Sequence, residues 1–168
     1  GDLHSHTRTL DLRTGILTRE AEWRSPSGAA IRLRTERLVS LHQRAVAAIR
    51  MTVEPVDAAV QLVLQSELVV NEQMPPASDD PRVAADLEAP FVAEDVLRSG
   101  STVTLVHSTR HSGLRVGSGI DHEVSGPPKL HTEVEAFPDL ARFTVSAPLE
   151  PGESVCLTKY LAYGWSSR

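Results

Sequence analysis

The chain reads as an all-β protein, a large antiparallel two-sheet sandwich forming one domain over residues 1–168, on three observations. Apolar and polar residues alternate with period two almost without a break from Thr7 to Pro55. Turn-forming residues punctuate the chain at regular spacing, and a helical pattern is nearly absent, with one weak signal around Pro81 to Leu87. Alternation of this length describes strands with one face in a core and one in water. About nine to eleven such strands bury their apolar faces most simply as two stacked sheets.

Taken in order, Thr7 to Leu12 is a strand closed at Gly15, which supplies the positive φ of a short loop. Ile16 to Arg24 follows, and Ser25-Pro26-Ser27-Gly28 places proline and glycine where a type I turn prefers them. The next strand, Ile31 to Leu41, pairs back in a register that sets Trp23 opposite Ile31 and Ala21 opposite Leu33 on a buried face. Glu22 then faces Arg32 and Glu20 faces Arg34 on the other. A slip of one residue would oppose Arg19 to Arg34 and mix apolar with charged partners. After a polar break at His42-Gln43-Arg44, Ala45 to Val53 is a strand ended by Pro55, and the thick apolar run Val60 to Val70 reads as a central strand.

Asn71 to Ser101 interrupts the pattern with Pro75, Pro76, Pro81, Pro90 and the acidic pair Asp79-Asp80, and is expected to be the least regular and most mobile part of the chain. Thr102 to Thr109 resumes the alternation. Gly113, Gly117, Gly119 and Gly126 punctuate Leu114 to Val124, which reads as one or two strands with bulges. Lys129 to Ala136, Leu140 to Ala147 and Ser154 to Trp165 complete the set, the last two joined by Glu150-Pro151-Gly152-Glu153 with proline and glycine at the type II positions.

Several stretches carry a family resemblance: Arg8 to Gly15, Leu17 to Glu20, Trp23-Arg24, Ser27-Gly28, Arg37 to Leu41, Ala48 to Pro55, Pro148 to Glu153, Leu157 to Tyr160 and Ser166 to Arg168. Together they resemble the amino-terminal domain of glycoside hydrolase family 65, which contains phosphorylases of α-linked glucose disaccharides and α,α-trehalases. The resemblance implies a galactose mutarotase-like super-sandwich, truncated at its N-terminal end because the family's first strands lie ahead of the residue matching Gly1. In that family the general acid and the phosphate-binding residues belong to a helical barrel that follows the sandwich. No segment here matches that barrel, so no catalytic, cofactor-binding or metal-binding residue is carried over. The implied partners are the catalytic barrel of the same parent chain, reached through a helical linker, and a second copy in a homodimer. A disaccharide such as maltose, trehalose or kojibiose is engaged only through the full-length enzyme, and Asn71 to Ser101 is the candidate for a loop at the active-site mouth.

The residues themselves agree with a noncatalytic domain. A net charge of −5 argues against nucleic-acid binding, because the basic stretch Arg32 to Arg37 is interleaved with glutamate. The single cysteine, Cys156, forms no internal disulfide and reads as core packing, which fits a reducing, cytoplasmic setting. No apolar run reaches the length of about 18 residues that spans a bilayer. His107 and His111, four apart on a strand, lie roughly 13 Å from each other and cannot share one ion without a bend. With His122 they read as packing or surface residues. Glycines at 113, 117 and 119 do not open onto a helix, so they are not a phosphate cradle. Glycoside chemistry requires two carboxyl groups, or one and a bound phosphate, at a fixed spacing; carboxylates abound, but none lies in a distinctive motif. Trp23, Phe143 and Tyr160 alternate within strands and are expected in the core, leaving little surface for sugar stacking. Two other readings stand beside this one: an aldose epimerase-like mutarotase, which would need a histidine and a glutamate converging in one cleft, and an independent carbohydrate-binding module.

Overall fold

The computed structural model describes residues 1–72 and 89–167, and the weak helical signal around Pro81 to Leu87 lies outside them. Among the described residues eleven strands follow one another: β1 Asp2–Asp11, β2 Ile16–Arg24, β3 Ala30–Val39, β4 Val46–Pro55, β5 Val60–Val69, β6 Phe91–Ser99, β7 Thr102–Thr109, β8 Arg115–Ser125, β9 His131–Phe137, β10 Leu140–Leu149 and β11 Val155–Ser166. All pairings are antiparallel. One sheet has eight strands in the order β1-β2-β3-β4-β11-β8-β7-β6, and the other has three in the order β5-β10-β9. No described residue is helical, and no described helix is long and apolar enough to cross a membrane.

The hairpin register is the one the charges specify, with Glu20, Ala21, Glu22 and Trp23 opposite Arg34, Leu33, Arg32 and Ile31. Arg34 closes on Glu20 at 2.9 Å and on Glu36 at 3.1 Å. Arg32, although opposite Glu22, turns to Glu54 of β4 at 3.2 Å. The turns follow their residues: Gly15, Gly28 and Gly152 all have positive φ, and the Glu153 N–H donates to the Glu150 carbonyl.

The core is what the smaller sheet covers. Phe143, Val145, Ala147 and Leu149 of β10 pack on Val155 and Leu157 of β11, with Val60, Leu62 and Leu64 of β5 alongside. A second cluster joins Val103 and Leu105 of β7 and Ile120 of β8 to Ala141 of β10. Leu105, Val145 and Val155 are completely buried, each side chain contributing about 1.5–3 kcal/mol of transfer free energy.

Several expectations are corrected. The run Val60 to Val70, read as a central strand, is β5 at one edge of the three-stranded sheet. Phe91 to Ser99, placed in the irregular excursion, is strand β6, and the part between Glu72 and Ala89 lies outside the described residues. Trp23 is 38 % exposed: its register is right, but it lines an open groove and is not packed in the core. Tyr160 is equally exposed, because it points to the outer face of the large sheet, where its hydroxyl donates to Glu123 at 3.0 Å. Cys156, between buried Val155 and Leu157, also points outward and is half-buried. The glycine-rich stretch forms one strand, β8, in continuous register with β7 and β11.

Between the large sheet and the start of β5 runs an apolar groove of about 640 Å³, lined by Leu3, Trp23, Ile31, Leu33, Val53 and Leu62 among others.

Candidate functional site

The chemistry-bearing residues fall into two buried clusters between the sheets. Strand β7 points His107 inward, where it is 2 % exposed. Its Nε2 lies 2.8 Å from Oδ1 of Asp139, in the turn between β9 and β10, and its ring meets Phe91 edge-on with centroids 6.3 Å apart. The same Asp139 oxygen accepts from the Asn71 side-chain amide at 3.3 Å. That amide also donates to the Phe91 carbonyl at 3.0 Å, and the Asn71 side-chain carbonyl accepts the Phe91 N–H at 3.1 Å.

These contacts form a knot that holds together the end of β5, the start of β6 and the β9–β10 turn. Asn71 sits in the left-handed region at φ 56, a conformation its short polar side chain tolerates better than alanine does. Asn71→Ala is expected to destabilise the domain by about 2 kcal/mol, and Asn71→Gly, which keeps the backbone but loses the amide bonds, by about half of that. Urea melts of the two variants check the ordering; equal losses would show that the backbone strain contributes nothing.

The second cluster is centred on His122 of β8. It is 6 % exposed, stacks on Phe143 at 4.3 Å with the rings 11° from parallel, and places Nε2 2.8 Å from the Ser66 hydroxyl. A histidine on a serine suggests nucleophilic catalysis, but that chemistry needs an orienting acceptor on the other ring nitrogen and an open approach. The Nδ1 atom of His122 is buried with no partner. Burial, and then the Lys159 charge, push the His122 pKa down from 6.5 to about 4, so at neutral pH it is a weak base. Lys159 itself is held below its ordinary pKa by burial, and its ammonium donates to the Glu67 carbonyl.

His111 lies exposed in the β7–β8 turn, turned away from the interior that holds His107. The structure therefore does not bring the three histidines together, and no group of three His, Cys, Asp or Glu side chains among the described residues could hold a metal ion. Glu123 faces outward toward Tyr160, on the opposite face of β8 from His122, so the histidine and glutamate of a mutarotase do not converge there. The remaining charges largely pair on the outer surface of the large sheet, in the series Glu20–Arg34–Glu36–Arg50.

Across residues 1–168 the sequence matches the profile described as glycosyl hydrolase family 65, N-terminal domain. The chain belongs to glycoside hydrolase family 65. Relatives of this family 65 domain include an uncharacterized glycosyl hydrolase of Mycobacterium tuberculosis, 48 % identical over 167 residues that make up 99 % of this chain and 21 % of that protein. The counterpart in Mycobacterium leprae is 47 % identical over the same shares of the two chains. An alpha,alpha-trehalose phosphorylase of Thermoanaerobacter brockii is 26 % identical over 164 residues, 97 % of this chain and 21 % of that one. The chain thus spans about a fifth of the length of the curated relatives it matches. A solved structure assigned as a kojibiose phosphorylase from the human microbiome superposes with a TM-score of 0.80 at 16 % identity, covering 98 % of this chain and 20 % of the other, which shows the shared sandwich fold.

Two features escaped the sequence. The Asp139 knot joins residues far apart in the chain, and its only local trace is the Pro138-Asp139 turn. The other is the exposure of Tyr163 and Trp165 at the end of β11, 54 % and 67 %.

Proposed function

We propose that this chain is a noncatalytic sandwich domain of an enzyme that phosphorolyses or hydrolyses α-linked glucose disaccharides such as maltose, trehalose or kojibiose. It supports the helical barrel that carries the chemistry, and it contributes to dimerisation of a cytoplasmic enzyme. The match to the family's N-terminal-domain profile along the whole chain carries this reading. The buried clusters agree with it, since His107 and His122 are both engaged in contacts that join the two sheets.

The purified 168-residue chain is expected to turn over none of trehalose, maltose and kojibiose, with or without phosphate, and to leave anomer interconversion of glucose at its spontaneous rate. Glucose release, glucose phosphate formation or faster mutarotation would overturn the assignment.

A second reading, a sugar-binding module, is favoured by one observation. Tyr163 and Trp165 lie two residues apart on one face of β11 and are both exposed, as a stacking platform would require. Calorimetry with the same disaccharides separates the two readings, because the first expects no measurable heat of binding.

A further inference from the structure

We draw no further inference here: the strongest candidate, the trough of about 500 Å³ on the outer face of the large sheet lined by Gly117, Gly119 and Gly164 together with Leu97 and Arg115, is a patch of small residues for which nothing in the structure shows what covers it.

Discussion

Leu105→Ala is expected to cost about 3–4 kcal/mol of unfolding free energy, read as a fall in the urea midpoint at an unchanged m-value. Leu105 has no exposed surface, and it lies in the cluster that joins β7 and β8 of the large sheet to Ala141 of β10. Removing its isobutyl group forfeits the transfer free energy of those carbons and leaves a cavity. Neighbours on ladder-bound strands relax into it poorly, because each backbone is held by hydrogen bonds on both sides. Leu97 is the control: it lies on β6 with 55 % exposure, and Leu97→Ala should change stability by less than about 0.5 kcal/mol. Equal losses at both positions would mean that the second cluster is not a core.

Acid is expected to weaken the domain through His122, over a window set by that residue. Its pKa is 6.5 in the unfolded chain and about 4 in the fold, lowered first by burial and then by the Lys159 charge. Below pH 6.5 the unfolded chain takes up a proton that the native state refuses. Stability is therefore complete above about 6.5, falls as the pH drops toward about 4, and loses nothing more from this group below that. The difference of about 2.5 units corresponds to at most about 3 kcal/mol, and partial hydration of the site lowers it toward about 2. Asp121, whose carboxylate is stabilised chiefly by the Ser101 hydroxyl, has a depressed pKa and acts in a lower range, below 3.8. Urea melts at pH 7, 5.5 and 4.5 measure the slope. His122→Phe, which keeps an aromatic ring on Phe143, should flatten it. A slope that survives this substitution would assign the acid limb to other groups.

What the sequence disclosed depended on how local the determining contact was. The β2–β3 register was legible because Glu20, Glu22, Arg32 and Arg34 and their apolar neighbours decide it within one hairpin. The exposure of Trp23 was not, since alternation tells which face a side chain takes but not whether a second layer covers that face. Strand β6 was hidden by its own bulge. The shift between Ala93 and Asp95 breaks the period of two in the middle of Phe91 to Ser99, and the prolines nearby made a loop the simpler reading. The Asp139 knot draws on Asn71, Phe91 and His107, which share no pattern in sequence. The two buried histidine clusters, which tie the sheets together through Asp139 and Ser66, likewise left no local pattern.

Among the described strands, β11 joins the two halves of the large sheet, with β4 on one side and β8 on the other. Its partner β4 meets it across roughly 100 residues of sequence, Val53 against Val155. On the ribosome, at about 5–20 residues per second, the four-strand meander β1 to β4 therefore waits about 5–20 s for the strand that completes its inner neighbour. During that interval the inner edge of β4, ending in Val53 and Pro55, is open to solvent and to chaperones. Nascent chains arrested before Val155 should accordingly be protease-sensitive throughout, and resistance should appear abruptly once Ser166 has cleared the exit tunnel.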